Sequence, residues 1–207
     1  MRRLLVLLTF AAALPAQQKA TPQKAPPPAP SSPLAQYTSV KVAVVPVQFY
    51  RGDTAFVKEP ALAMRAAFDS LLSEQLEAHG LKGQWATPAE VIRSAKRNAV
   101  YAADPRNLGA FTVRNGVGKD AVLTDPLAGN LRRLVALHDA RYALMPVELR
   151  VESNREGGQF VVRLLLLDAR LMAALYQVDL MGERAAKYSP DLLAKLVTRV
   201  VELAVAP

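Results

Sequence analysis

Between residue 40 and the end of the chain, apolar positions fall into three kinds of pattern, and each predicts a different element. The run Val40–Val47 (VKVAVVPV) is short and β-branched and predicts a buried first strand, with Pro46 ending or bulging its pairing because it offers no N–H. From about Pro60 to His79, Met64, Phe68, Leu72 and Leu76 recur every fourth residue with Leu71 beside them, and Gly80 supplies a left-handed stop. That is a core-facing helix. A short extended piece, Leu81–Ala86, leads to Thr87-Pro88-Ala89-Glu90, where Thr caps, Pro takes the first helical position and Glu reaches back, opening a second helix to about Asn98. Trp85 reads as core filling. Residues 100–125 show no sustained period; Asn115-Gly116 closes either a small hairpin or an irregular connection with a helical turn. Leu127, Leu131, Leu134, Val135 and His138 then share the face of a third helix over residues 126–139.

The clearest β evidence comes next, in Tyr142–Glu152, Phe160–Asp168 and Ala173–Met181, which are separated by Asn154-Arg155-Glu156-Gly157-Gly158 and by a tight turn near Ala169-Arg170 and predict three consecutive antiparallel strands. If Ser153 and Gly158 bracket the first loop, Val151 faces Phe160, Leu149 faces Val162, Val147 faces Leu164 and Glu148 faces Arg163. One face becomes wholly apolar while the other carries an opposite-charge pair, and a slip of one residue destroys both features. Ser189-Pro190 opens a last helix with Leu193, Leu196, Val197, Val200 and Ala204 as its buried stripe. The fold class is therefore α/β (α+β), a mixed sheet of about four to five strands with helices packed on it, its C-terminal three-stranded meander followed by a helix.

The first 39 residues do not follow these patterns. Arg2 and Arg3 precede the apolar stretch Leu4–Leu14, with Pro15 and Ala16 after it, so residues 1–16 read as a signal peptide cleaved after Ala16 or, alternatively, Ala13. Residues 17–39 shift to Gln, Ala, Ser, Thr and repeated Pro, a composition that builds no core and predicts an extended tether. The organisation is then signal peptide 1–16, tether 17–39 and one globular domain 40–207, periplasmic or secreted. The h-region is about half the roughly 20 residues a membrane span needs, so no stable anchor is expected once it is removed.

The order of elements resembles the small periplasmic α/β domain found in the amino-terminal part of TolB, the curli secretion channel and the lipoprotein activators of penicillin-binding proteins. VKVAVVPV, the long helix after it, Asp139-Ala140-Arg141-Tyr142-Ala143-Leu144 and FVVRLLLLDARLMAALYQVDLMGE carry the likeness over roughly residues 40–207. It implies the fold and a place in the cell envelope. Departures are plain: the chain has no cysteine to acylate, no pore hairpins and no propeller.

A complete absence of cysteine excludes disulfide frameworks, thiolate metal sites and cysteine nucleophiles. The formal charge of +8 suggests nucleic acid until it is located: Arg2, Arg3, Lys19 and Lys24 lie before residue 40, where no acid does, which leaves an excess of four on the folded part. That is short of the clustered basic face that phosphate-driven binding needs, so no nucleic-acid partner is expected. His79 and His138 each sit near a helix end and suit capping or packing. Gly116-Val117-Gly118-Lys119-Asp120 lacks the spacing of a phosphate loop, and the loop acids Asp120 with Asp125 and Asp53 with Glu59, which could in principle meet as an acid–base or metal pair, read as ordinary solvated carboxylates. No cofactor or metal is expected. The site to watch is the segment after the first strand, because ligands lie at the carboxyl ends of strands in open α/β sheets; there Tyr50, Arg51 and Asp53 are the candidate partner- or ligand-binding residues. The sequence points to an exported, non-enzymatic domain that binds an envelope protein through its surface. A small-molecule or cell-wall-fragment binder, and a hydrolase with unpaired carboxylates, are the alternatives.

Overall fold

A computed structural model describes residues 32–118 and 121–205; the expected signal peptide and most of the expected tether lie outside them. Six strands, β1 (Val42–Val44), β2 (Phe49–Arg51), β3 (Trp85–Ala86), β4 (Tyr142–Asn154), β5 (Gly157–Asp168) and β6 (Ala173–Met181), join in one mixed sheet of order β3-β1-β4-β5-β6, with β2 also paired to β4. The first three run parallel to their neighbours, and β4, β5 and β6 form the expected antiparallel meander.

Four helices cover the two faces. On one face α1 (Ala61–Ala78) contributes Met64, Phe68, Leu72 and Leu76, and α4 (Pro190–Glu202) contributes Leu193, Leu196, Val197 and Val200, to a core shared with Val42, Val44, Leu149, Phe160 and Val162. On the other, α2 (Pro88–Arg97) and α3 (Leu127–Ala136) bring Val91, Leu127, Leu131 and Leu134 against Ala43, Val45, Met145, Leu165 and Leu167. The α2 capping box forms as its sequence dictates, the Thr87 N–H donating to Glu90 and the Glu90 N–H to the Thr87 hydroxyl. Trp85 is fully buried.

The first strand is interrupted where the sequence places Pro46. Val45 N–H still donates to the Leu144 carbonyl and Gln48 N–H to that of Pro146, but between them the ladder is lost because neither proline donates. The chain then resumes as β2, a sixth strand that takes in Tyr50 and Arg51 of the segment after the first strand. A matching bulge at Val147 offsets β4 from β5: Val151, Leu149 and Glu148 face Phe160, Val162 and Arg163 as expected, whereas Leu164 faces Pro146 instead of Val147. The side chain of Val147 therefore joins the opposite core from that of Leu149.

Residues 100–118 form no hairpin around Asn115-Gly116. Ala110–Val113 is a 3-10 turn, so the irregular connection with a helical turn is the form adopted. Packing also begins earlier than residue 40. Leu34 is buried in the α1/α4 core, its N–H donates to the Leu203 carbonyl, and Ala35–Tyr37 makes a further 3-10 turn.

The end of β5 shows how the meander turns. Asp168 accepts from Nε and Nη2 of Arg141 at 2.9 and 2.6 Å and from the N–H groups of Arg170 and Leu171. Burial alone would raise its carboxyl, but those donors outweigh it and hold the group below the usual carboxylate range.

Candidate functional site

Beyond the Val147 bulge the second face of the sheet changes character. Up to Met145 it is apolar and covered by α2 and α3; from Glu148 onward charged side chains alternate with Phe49, Val161 and Met181, and no α-helix covers them. Register fixes which residues share that face. Phe49, Glu148, Arg163 and Asp179 form one row across four strands, and Arg51, Arg150, Val161 and Met181 form the next.

The charges are knitted together. Arg163 grips Asp179 through two parallel bonds, Nε to Oδ1 at 2.7 Å and Nη2 to Oδ2 at 2.8 Å, while Arg150 joins Asp179 at 3.0 Å and Glu152 at 2.9 Å. Arg114, reaching in from the segment after the Ala110–Val113 turn, binds Glu148 through Nε at 2.8 Å and Nη2 at 2.7 Å. The Arg163 bond holds the Asp179 carboxyl low against the opposing pull of burial, and the Arg150 bond does the same for Glu152. The Arg114 guanidinium also lies over the Phe49 ring, 4.8 Å from its centroid, and that ring tilts against Phe111 at 5.1 Å. Phe111 and Met181 are more than half exposed.

The three residues singled out from sequence separate on this framework. Arg51 lies exposed on the open face, in the row of Arg150. Tyr50 points to the other side: its ring packs beside the α1/α4 core and against Gly52, so close that a β-carbon there would fall 2.7 Å from it. The Tyr50 hydroxyl is buried with no hydrogen-bond partner among the described residues, and burial pushes it up to about 12. Asp53 sits at the rim, where one carboxylate oxygen accepts from the Ala55 N–H at 2.9 Å and the other from the Ser153 hydroxyl. These bonds, the Ser153 one foremost, lower its carboxyl. A cleft of about 540 Å³ lies beside it, lined by Asp53, Phe56, Ser153, Arg155 and Ala186. Arg51 is thus the one candidate presented on the open face, and Asp53 is a half-buried loop brace that binds Ser153 rather than Arg51.

Sequence reasoning missed Arg114, Arg150 and Asp179. A signal existed in the alternation Glu148-x-Arg150-x-Glu152, which puts three charges on one face of a strand whose other face is apolar. Arg114 carried none, since only the tertiary fold brings it to Glu148. Among the described residues no group of three or more potential metal-ligating side chains is gathered, and no helix among them is long and apolar enough to cross a membrane. Asp120 lies outside the described residues, and with it the pairing with Asp125.

Both histidines sit where helices end. His79 Nδ1 is 2.8 Å from the Gln75 carbonyl at the end of α1, and His138 Nε2 is 2.6 Å from the Ser94 hydroxyl, joining the end of α3 to α2. Burial lowers the His138 imidazole.

No family model matches the chain, and no curated protein matches it in sequence. Among solved structures it is similar to the PelC dodecamer from Paraburkholderia phytofirmans, with 16% identity, 86% of this chain and 95% of that one covered and a TM-score of 0.44. It is also similar to lipoprotein GNA1162 from Neisseria meningitidis (16% identity, 79% and 96% covered, TM-score 0.42) and to LpoB of E. coli (12%, 84% and 81%, 0.39). The penicillin-binding-protein activator lipoproteins named from the sequence thus recur among these structures through LpoB.

Proposed function

We propose that this chain is an exported, non-enzymatic domain of the cell envelope that binds a protein partner through the helix-free half of its sheet, with the proline-rich residues 17–31 as a spacer. The supporting observation is the change of character at Val147, where a sheet covered by helices gives way to a face on which a half-buried network of Arg114, Arg150 and Arg163 underlies the exposed side chains of Arg51, Phe111 and Met181. Arginine, aromatic residues and methionine are the types enriched at protein interfaces. Most of these arginines are already held by carboxylates, so docking adds contacts to a preorganised surface instead of ordering loose side chains. Arg51 is the free cation of the patch among the described ion pairs, and it is assigned the pairing with an acidic group on the partner. Export is read from Arg2, Arg3 and the Leu4–Leu14 stretch.

Site-specific photocrosslinking in intact cells tests this reading. A photoreactive side chain at position 51, 111 or 181 should yield one discrete adduct, and the same group at Leu62, exposed on α1, should not. Arg51→Glu should abolish the adduct formed from position 111. Equal labelling from position 62, or no adduct from any of the three, would refute the proposal.

A further inference from the structure

At the opposite end of the β1–β2 line from that face lies a second cavity of about 360 Å³, between the amino end of β1, the loop before β3 and the α2/α3 pair. Arg93 and Arg97 stand one turn apart on α2 at its wall, both exposed and both without an ion pair among the described residues. Two unpaired guanidiniums held side by side repel one another, and a bound anion would remove that cost. Glu90 also lines the cavity and, although one of its oxygens accepts from the Thr87 N–H at 2.9 Å, its negative charge remains and offsets one of the two arginines. Lys41 at the rim is matched by Asp139 at 2.9 Å. The remaining charge is positive.

Deeper in the cavity the Ser94 hydroxyl and His138 Nε2 meet at 2.6 Å, and Ser94 is 8% exposed. The Ser94 oxygen also lies 3.1 Å from the Val91 carbonyl. Because a hydroxyl has one proton, Ser94 donating to Val91 leaves its oxygen to accept from His138 Nε2–H, and the alternative tautomer reverses this. In either arrangement the proton between Ser94 and His138 is used within the pair, so the donor it can offer a ligand is His138 Nδ1–H, in the tautomer whose Nε2 accepts from Ser94.

We infer that this cavity binds a small phosphate-bearing ligand, with Arg93 and Arg97 forking onto the phosphoryl oxygens and the Ser94–His138 pair completing the shell. A phosphoryl group offers three terminal oxygens, enough for two guanidinium forks and a third donor, whereas a carboxylate saturates with one fork. The volume holds a phosphate or diphosphate with a short organic portion. This inference is independent of the partner-binding face.

Titration of the full chain with pyrophosphate, followed by amide and imidazole NMR shifts in physiological salt, tests it, with citrate as a carboxylate comparator. Saturable shifts are expected at Gln84, Ser94 and the His138 ring. Arg93→Gln with Arg97→Gln should weaken binding at least about tenfold, with an unchanged melting temperature because neither side chain is buried or paired. Arg132→Gln with Arg133→Gln, the adjacent pair on α3, should change binding less than about twofold. Absence of saturation at about 10 mM, citrate binding as tightly as pyrophosphate, or equal loss in the α3 variant would overturn the inference. Glycerol phosphate and vesicles of phosphatidylglycerol separate the two sources of such a group: Arg93/Arg97-dependent binding of the former assigns a soluble phosphoester, and of the latter a lipid headgroup.

Discussion

Glu148 and Arg163 stand directly opposite one another on β4 and β5, yet neither holds the other: Glu148 is gripped by Arg114 and Arg163 by Asp179. Exchanging the two charges therefore offers no compensation. Glu148→Arg with Arg163→Glu would set two guanidiniums together at positions 114 and 148 and two carboxylates at 163 and 179. Glu148 is only 5% exposed, so Glu148→Arg alone should cost about 3–5 kcal/mol. Adding Arg114→Glu should restore about 1–2 kcal/mol of this, a coupling of the size usual for contacting residues. Urea denaturation of the two double variants distinguishes the pairings, and recovery with Arg163→Glu but not with Arg114→Glu would contradict the observed contacts.

Asp69, buried on α1 beneath the break between β1 and β2, accepts from the Val47 N–H at 2.9 Å and from Arg106 at 3.2 Å. Burial outweighs both donors and pushes its carboxyl up to about 6 from an ordinary value of 3.8. The folded state therefore takes up a proton before the unfolded state does as pH falls. Between about pH 4 and pH 6 the unfolded chain binds fewer protons, so stability from this group decreases as pH rises across that window. Relative to Asp69→Asn, which has no such titration, the wild-type chain should lose on the order of 2–3 kcal/mol from pH 4 to pH 7. Parallel stability–pH profiles of the two proteins would dismiss the assignment.

Legibility in the sequence followed the range of the interactions involved. The β4–β5 register from Glu148 to the turn was readable because a local turn and a side-chain period of two fix it together, and the α2 cap was readable because Thr87 and Glu90 are three residues apart. The offset at Val147 was not, although Pro146 lacks a donor just as Pro46 does, because a missing N–H marks a weak point without stating which residue is extruded. The open face was half legible: Glu148, Arg150 and Glu152 alternate, but Arg114 arrives from an aperiodic segment. Ser94 and His138 meet only through the packing of α2 against α3, and no spacing along the chain encodes that.

Gly157 closes the β4–β5 hairpin with φ of +133°, and its missing side chain matters twice. A β-carbon there would lie 2.0 Å from the Ala185 carbonyl oxygen, whose bond to the Gly158 N–H at 2.9 Å ties the segment after β6 to the hairpin. Both backbone strain and a contact with main-chain atoms oppose a side chain. Gly157→Ala should cost about 1–3 kcal/mol and raise hydrogen exchange at Gly158 and Ala185 ahead of the rest of the sheet. Unchanged protection at both amides would show that this contact yields freely.

Residues 32–39 carry part of the fold's stability despite their position at the end of a proline-rich stretch. Leu34 is fully buried, and its N–H donates to the Leu203 carbonyl at 2.8 Å beyond the end of α4. The Tyr37 carbonyl accepts the indole N–H of Trp85 at 3.0 Å, and the Tyr37 ring meets that of Tyr142 edge-on at 5.0 Å. Removing Leu34 from the core forfeits about 1.5–3 kcal/mol of burial. Orphaning the Trp85 N–H adds about 1–3 kcal/mol, so a chain starting at Val40 should be less stable than one starting at Ser32 by about 2.5–6 kcal/mol. That is a large share of the roughly 5–15 kcal/mol typical of a domain. The Trp85 fluorescence maximum should shift to the red in the shorter chain even when folded, because its ring loses its cover and its hydrogen bond. Leu34→Ala in the longer chain should show the burial loss, about 2–4 kcal/mol, without the fluorescence shift. Equal melting temperatures for the two truncations would mean that this segment rests on the domain without stabilising it, and that the cohesive unit begins at β1.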